Sequence, residues 1–154
     1  MTRGGMEGPG FVWRRRVGFG DCDPARIAFT GRIPDFALEA IDAFWESLLD
    51  GDNWFRMNVD LDLGTPFVRM EFDFTAPITP RAPLFCDVEP VALGASSAAF
   101  RVEGMQDGRS CFVGRFVCVF VALAAFRKIP VPPRIRTALE AAYPALRGAE
   151  AEPS

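Results

Sequence analysis

An apolar stripe at helical spacing, in the segment "IPDFALEAIDAFWESLLDG", constrains the fold of this 154-residue chain more than any other feature. The stripe consists of Ile33, Phe36, Ala37, Ala40, Ile41, Phe44, Trp45, Leu48 and Leu49. Its members recur at steps of three and one residues, which is the period of an α-helix with one wide buried face. Pro34 and Asp35 suit the first turn of a helix, and Gly51 suits the position just past its end. The segment therefore predicts a long helix that packs against an apolar surface along most of its length.

Five further segments have the pattern of β-strands. They cover residues 11–19, 68–75, 84–89, 97–103 and 110–122. The last segment is apolar on both faces except at Arg115, as expected of a central strand, and the Asp-Gly turn signal before it predicts a hairpin with the fourth strand. A single charge in an apolar strand needs a partner. We expect Arg115 to pair with a carboxylate across the sheet, and the alternative is that it binds a ligand.

The order of these elements predicts an α+β fold in a single domain over residues 11–143. A strand is followed by the long helix and then by four strands in antiparallel succession, and "RIRTALEAAYPAL" closes the chain as a short C-terminal helix. One helix covers only the concave face of such a five-stranded sheet, so we expect another subunit or the terminal helix to cover the convex face. Residues 1–10 and 147–154 are expected to be loose ends.

Composition excludes several classes of function. The net charge of −3 argues against a nucleic-acid partner. The N-terminus lacks the apolar region of a secretory signal, and the longest apolar run, residues 116–126, is too short to span a bilayer. We therefore expect a cytoplasmic protein without a membrane partner. The four cysteines lack zinc-site spacing and the chain has no histidine, which predicts no metal site and mostly buried, reduced thiols.

Three segments together resemble a known family. "GDCDPARIAF" directly before the long helix, then "LGTPFVRMEFDFTAPI" and "FRKIPVPP", are similar to segments of the 4-hydroxybenzoyl-CoA thioesterase family. The resemblance covers roughly residues 11 to 140. It implies the hotdog fold, in which a curled five-stranded antiparallel sheet surrounds one long helix. It also implies hydrolysis of an acyl-CoA thioester, with CoA as part of the substrate and no separate cofactor, in a homodimer or homotetramer (a dimer of dimers) with active sites between subunits.

The same resemblance assigns the site residues. The second Asp of the family's D-x-D-P motif corresponds to Asp23, which would act as nucleophile or general base. The backbone amide that polarises the thioester carbonyl in the family corresponds to that of Thr30. The basic residues that hold the CoA phosphates correspond to Arg127 and Lys128. The family usually has Gly where this chain has Arg26, and an aromatic-Pro-Asn run where this chain has "FTGRIP". These departures motivate the alternative of a non-catalytic protein that binds acyl-CoA or acyl-carrier protein.

The chemistry of a thioester suits this small set of residues. A thioester carbonyl is already activated and has a good thiolate leaving group, so a carboxylate and an oxyanion donor suffice. A Ser-His-Asp triad is excluded because the chain has no histidine. The start of a helix offers unpaired N–H groups and the positive end of the helix dipole. Pro24 stiffens the turn and favours an extended backbone at Asp23.

The acidic and hydroxyl side chains of the motif also have structural interpretations. An Asp before a helix commonly forms a turn or a cap, so Asp23 has this alternative, and Thr30 has the alternative of a plain N-cap. Asp21 is expected to bind loop amides. Cys22 is expected to be an unsuitable nucleophile, because no histidine or nearby lysine is available to activate its thiol and both neighbours are acidic.

The basic residues have alternatives of the same kind. Arg26 and Arg32 lie close to Asp23 in sequence, where they would stabilise its negative charge, bind a carboxylate of the acyl group, or face water. Arg127 and Lys128 would hold phosphates or serve as solubilising surface charges. The residues alone leave these alternatives open.

Overall fold

The computed structural model describes residues 10–148. Its α-helices are α1 (Ile33–Leu48) and α2 (Pro133–Ala142). Its strands are β1 (Phe11–Arg15), β2 (Leu63–Gly64), β3 (Phe67–Phe74), β4 (Leu84–Leu93), β5 (Ser97–Gln106), β6 (Arg109–Val119), β7 (Val121–Ala122) and β8 (Arg127–Lys128). Short 3-10 helices occur at Phe19–Asp21, Thr30–Arg32 and Pro144–Gly148, and Arg56–Asp60 forms a π-helical turn. The predicted α+β arrangement is confirmed, and most of the predicted loose ends, residues 1–9 and 149–154, lie outside the described residues.

The main sheet is antiparallel, with strand order β1-β4-β5-β6-β3. The predicted hairpin between β5 and β6 is confirmed: its turn residues Asp107 and Gly108 have φ of 50° and 72°, the left-handed region that an Asp-Gly turn tolerates. β3 lies beside β6 rather than beside β4, because residues 75–83, with three prolines, carry the chain across the sheet without forming a strand. In the described part of the chain, the outer edge of β3 has no strand partner.

The inner face of the sheet packs on α1. All members of the predicted apolar stripe are buried except Leu48, which is half-buried. Phe44 lies in the centre of this packing, with its ring centroid 5.8 Å from that of Phe11 and 5.5 Å from that of Phe100. Burying one side chain of this size stabilises a fold by about 1.5–3 kcal/mol. The sequence of α1 therefore determines both its helical form and the face that it presents to the sheet.

Three of the four cysteines belong to this core, as predicted. Cys86, Cys111 and Cys118 are buried, whereas Cys22 is half-buried. Burial raises the pKa of the thiols of Cys86 and Cys118 to about 12. These thiols are therefore protonated at neutral pH and serve as small apolar side chains.

The C-terminal helix joins the same inner core. Ile135 and Leu139 of α2 are buried, and the ring of Tyr143 lies 6.0 Å from that of Phe44. Because Phe44 packs on the inner side of the sheet, the terminal helix does not cover the outer face. We expected either another subunit or the terminal helix to cover the outer face, and coverage by another subunit stays a prediction.

The structure corrects several strand boundaries. β4 and β5 extend to Leu93 and Gln106, beyond the predicted ends at residues 89 and 103. The first strand ends at Arg15 rather than at residue 19, because the chain turns into a 3-10 helix. The run predicted as one strand over 110–122 breaks after Val119, and β7 joins β2 and β8 in a small second sheet. Strands of two residues are too short to show an alternating pattern. The predicted partner of Arg115 is confirmed, since its Nη1 lies 3.5 Å from Oδ2 of Asp73 on β3.

Candidate active site

Asp23 lies in a tight loop between β1 and α1. Cys22 and Ala28 form an isolated antiparallel bridge that closes this loop. Within it, the Asp23 N–H donates to the Ile27 carbonyl at 3.0 Å, and the Arg26 N–H donates to the Asp23 carbonyl at 2.9 Å. The backbone of Asp23 is therefore held on both sides by hydrogen bonds.

The carboxylate of Asp23 has one occupied and one free oxygen. Its Oδ1 accepts the Ala25 N–H at 2.8 Å, an Asx turn of the kind that the structural interpretation predicts. Its Oδ2 has no hydrogen-bond partner within residues 10–148, and the side chain is half-buried. One oxygen thus fixes the orientation of the carboxylate and the other remains available for chemistry.

Arg26, where the resembling family usually has Gly, adopts a backbone conformation that favours Gly. Its φ is 70°, in the left-handed region, where a Cβ is sterically unfavourable. The side chain is exposed and makes no ion pair with any described residue. The loop therefore keeps the backbone shape expected of a glycine although the residue has changed.

Thr30 begins a 3-10 helix that runs directly into α1. Phe29 before it is extended (φ −61°, ψ 131°), and the carbonyl of Phe29 accepts the Arg32 N–H at 2.8 Å. The amides of Thr30 and Gly31 have no acceptor in the described part of the chain, and both residues are exposed. The N-cap positions belong to Phe29 and Arg32, so Thr30 is not a plain N-cap. The start of the helix therefore presents two free N–H donors.

Asp21 connects the Asp23 loop to the start of the helix. Its side chain is buried, and its Oδ2 accepts Nη1 of Arg15 at 2.8 Å and the Gly18 N–H at 2.9 Å. The predicted role in binding a loop amide is thus confirmed. The carbonyl of Asp21 accepts the Phe29 N–H at 2.8 Å, directly before Thr30. Because of this bond, the segments that carry Asp23 and Thr30 lie side by side.

The buried carboxyl of Asp21 is held in its charged form. Burial opposes ionisation, but hydrogen bonds from Arg15 and Gly18 and the charges of Arg15 and Arg32 outweigh it and lower the pKa of Asp21. Arg32 lies 3.6 Å from Oδ1 of Asp21 and 3.2 Å from Oδ2 of Asp35. The ion-pair partners of Arg32 are therefore Asp21 and Asp35 rather than Asp23.

Arg15 is a residue of this site that the motif does not contain. Besides Asp21 it binds Glu39 of α1, from Nε to Oε2 at 2.7 Å, and its guanidinium carbon lies 4.3 Å from the centre of the Phe36 ring. The alternation of β1 provides the one sequence signal, because it places Arg15 on the same face as the apolar Trp13. A charge on the inward face of a strand requires a partner.

The Asp23 loop lies at the end of the sheet where β6 begins. It follows β1, whose last residue, Arg15, pairs with Leu84 at the start of β4. The start of β4 faces the end of β5, from which the hairpin leads into β6. The Ala28 N–H also donates to the carbonyl of Ile78, in the connection between β3 and β4, at 2.7 Å. The candidate catalytic residues are thus anchored at one end of the sheet.

Arg127 and Lys128 lie at the opposite end. They form β8, which pairs with β7, and β7 follows the last residue of β6. β6 has 11 residues, and at about 3.4 Å per residue its length is roughly 35 Å. Both side chains are exposed. A single chain therefore does not bring these residues together with Asp23.

An apolar groove of about 300 Å³ runs along α1 beside the start of β3. Its walls include Leu38, Ile41 and Trp45 of α1, Trp54 and Met57 of the following loop, Phe67 of β3, and the acids Glu39 and Asp42. Burial raises the pKa of Asp42, although the Trp54 N–H, which it accepts at 2.7 Å, acts in the opposite direction. The groove offers an apolar space next to the open edge of the sheet.

The described residues were also compared with the patterns of a metal site and of a membrane-spanning helix. Among residues 10–148, no group of three or more Cys, Asp or Glu side chains is placed to hold a metal ion. The helices of the same range are all too short or too polar to cross a bilayer.

Comparison with known proteins identifies the family. The model of the thioesterase-like superfamily matches residues 17–139, which include the Asp23 loop, α1 and every strand from β2 to β8. The chain belongs to the thioesterase-like superfamily. Its architecture is the hotdog fold, as the resemblance implied. No curated protein sequence matches the chain.

Several solved structures are similar to this superfamily member. A thioesterase superfamily protein from Jannaschia sp. CCS1 is 46% identical, over 92% of this chain and 98% of that one, with a TM-score of 0.85. A gentisyl-coenzyme A thioesterase is 26% identical, over 83% and 98% of the two chains, with a TM-score of 0.70. A 1,4-dihydroxy-2-naphthoyl-CoA thioesterase from Synechocystis, at 21% identity over 84% and 95% and a TM-score of 0.76, supports the fold.

Proposed function

We propose that this protein hydrolyses an acyl-CoA thioester to the free acid and CoA, as a member of the 4-hydroxybenzoyl-CoA thioesterase family within the superfamily. The observation that carries the proposal is the pairing of Asp23, which has a free carboxylate oxygen, with a helix start that has two free amides. The reaction as proposed needs no separate cofactor. We place it in the cytoplasm, where acyl-CoA substrates and reduced cysteines coexist.

The free oxygen of Asp23 would start the reaction. It would either attack the thioester carbonyl carbon, to give an acyl-carboxylate anhydride that water then cleaves, or remove a proton from the water that attacks. The amide of Thr30 would donate to the carbonyl oxygen as negative charge develops there. The thiolate of CoA leaves and is protonated, so the overall reaction consumes one water. This mechanism needs no imidazole, which the chain does not contain.

The phosphates of CoA would be held by a second copy of the chain. β3 is antiparallel to β6, with Phe74 at the Asp23 end of the sheet and Phe67 at the Arg127 end. If the open edges of two β3 strands pair antiparallel about a two-fold axis, Phe74 of one copy lies near Phe67 of the other. Asp23 of one copy then faces Arg127 and Lys128 of the second copy. We therefore propose a homodimer, or a homotetramer of two dimers, with shared sites.

The edge of β3 supports this assembly. It is eight residues long, and Val68, Met70 and Phe74 are 51%, 47% and 50% exposed. A long, unpaired edge strand with exposed apolar side chains normally pairs with another strand. The groove along α1 opens beside this edge, so the acyl group would lie in it against the second copy.

A thiol-release assay tests the proposal. Wild-type protein is offered a panel of short, long and aromatic acyl-CoAs, and free CoA is measured. Because Asp23→Asn keeps the turn-forming oxygen and removes the charge, we expect a folded variant whose kcat is lower by about 100-fold or more. Near-normal turnover by this variant would refute the role of Asp23, and the absence of turnover by the wild type with every acyl-CoA would refute the activity.

A second candidate is non-catalytic binding of acyl-CoA or acyl-carrier protein on the same scaffold. The Asx turn favours it, because Asp23 already has a structural use in binding the Ala25 N–H. Binding predicts tight association with acyl-CoA and no thiol release in the same panel. Hydrolysis predicts thiol release that depends on Asp23.

A further inference from the structure

We propose that Arg15 is a positioning residue for this reaction, which holds the Asp23 loop against the start of α1 through Asp21 and Glu39. The inference rests on the proposed hydrolysis for its kinetic consequences. Its structural basis, one guanidinium that joins three segments, is independent of the substrate.

The guanidinium of Arg15 binds two carboxylates on different elements. Nη1 donates to Asp21 on the loop at 2.8 Å, and Nε donates to Glu39 on α1 at 2.7 Å. The face of the guanidinium stacks over Phe36, also on α1, at 4.3 Å from the ring centre. A planar group with a fixed set of donors and a ring beneath it leaves the two carboxylates little freedom relative to each other.

Asp21 transmits this restraint to the reacting groups. Its carboxylate is fixed by Arg15 and by the Gly18 N–H, and its own carbonyl accepts the Phe29 N–H. Asp23 follows Asp21 by two residues, and Thr30 follows Phe29 directly. The distance between the carboxylate and the oxyanion donor thus depends on a residue that touches neither. A displacement of about 1 Å between such groups can lower a rate by as much as 100-fold.

The two contacts of Arg15 differ in burial, which allows positioning to be separated from stability. The side chain of Asp21 is only 9% exposed, so removing its partner would leave a buried charge and destabilise the fold. The side chain of Glu39 is 46% exposed, and pairs of that kind contribute little to stability. Glu39 also lines the groove proposed for the acyl group. A change at Glu39 that lowers kcat without altering KM or the melting temperature therefore separates positioning both from stability and from a contact with bound substrate.

The decisive variant is Glu39→Gln, which removes the negative charge that Arg15 binds on α1 and leaves Arg15 paired with Asp21 and stacked on Phe36. We expect kcat to fall about 3- to 10-fold while KM changes less than about twofold, with an unchanged melting temperature. Glu140→Gln is the matched control, because it breaks an Arg–Glu pair of 3.2 Å with Arg136 on α2, away from the site. Equal kcat values for the two variants, or a change in KM alone, would overturn the proposal.

A second set of variants changes Arg15 itself. Arg15→Ala should lower kcat by about 10- to 100-fold, and Arg15→Lys should lower it less, because a point charge cannot hold both carboxylates in one plane. Guanidinium ion, well below denaturing concentrations, should restore kcat of Arg15→Ala and have no such effect on Asp23→Asn. Absence of rescue in a folded Arg15→Ala would count against the proposal.

Amide hydrogen exchange tests the restraint without any substrate. In Arg15→Ala, the amide hydrogens of Asp23 and Phe29 should exchange with solvent faster than in the wild type, whereas the exchange rates in β5 should remain unchanged. Unchanged protection at Asp23 and Phe29 would overturn the inference even if the protein hydrolyses acyl-CoA. Faster exchange in a protein without thiol release would support the restraint and refute the proposed hydrolysis.

Discussion

The two aspartates of "GDCDPA" differ in environment although they are two residues apart. Asp21 is buried, bound by Arg15 and a backbone amide, and its pKa is lowered. Asp23 is half-buried and keeps one oxygen without a partner in the described residues. A carboxylate that is already saturated with donors is a poor nucleophile or base. The structure therefore separates an acid that organises the loop from one with a carboxylate oxygen free for the proposed reaction.

The backbone of Arg26 leads to a prediction about stability. A residue with a Cβ costs about 1–2 kcal/mol in the left-handed region, and Arg26 has φ of 70°. Replacing Arg26 by glycine would remove this steric cost, but part of the stability gained is offset by the greater entropy of glycine in the unfolded chain. We expect Arg26→Gly to raise the free energy of unfolding, measured by urea denaturation, by about 0.5–1 kcal/mol.

Arg26→Ala is the control for this prediction. It removes the guanidinium but keeps the Cβ, so its free energy of unfolding should not exceed that of the wild type. Equal stabilities of the Gly and Ala variants would contradict the steric explanation. A loss of kcat/KM that the two variants share would instead assign the guanidinium a role in binding substrate.

At the level of elements, β3 is an edge strand with one unpaired edge in the described part of the chain. It pairs with β6 on one side only, and three of its apolar side chains are about half exposed. A charged residue on such an edge opposes pairing with another strand. The proposed dimer thus depends on this one element.

Met70→Lys tests the role of β3. Because Met70 is 47% exposed, a lysine fits there without disturbing the core, but it would place a charge in the proposed interface. We expect this variant to be a folded monomer without thiol-release activity, as judged by light scattering, circular dichroism and the CoA assay. Val12→Lys, on the opposite edge strand β1 and 57% exposed, should remain assembled and active. A dimeric Met70→Lys would exclude the β3 interface.

The sequence predicts those elements whose pattern is long enough to be read. α1 and the five main strands have many residues on one buried face, so their type follows from periodicity. The small sheet of β2, β7 and β8 cannot be predicted in this way, because two-residue strands are defined only by the strands with which they pair. The position of β3 at the edge is equally hidden, since strand order depends on contacts between residues far apart in the chain.

The candidate site is predictable to a similar, limited extent. The motif and its resemblance indicate Asp23 and Thr30, and the structure brings their segments side by side. The contact of Arg15 with Glu39 links residues 24 positions apart on different elements, and only the fold brings them together. The separation of Arg127 and Lys128 from Asp23 likewise becomes visible only when the register of the strands is known.

For the whole molecule, the central question is how the two ends of the sheet combine into one site. Asp23 and the pair Arg127 and Lys128 lie at opposite ends of a strand about 35 Å long. A two-fold axis perpendicular to the sheet, between the β3 edges of two copies, would bring each end of one copy to the other end of its neighbour. We therefore predict two equivalent sites per dimer, each with residues from both copies.

Mixing two inactive variants tests this claim most directly. One variant carries Asp23→Asn, the other carries Arg127→Glu and Lys128→Glu, and the two are refolded together. In a mixed dimer with shared sites, one site receives both defects and the other receives neither. Random assembly should therefore restore about a quarter of the wild-type thiol-release activity. Activity no higher than the sum of the two parents would contradict a site shared between copies.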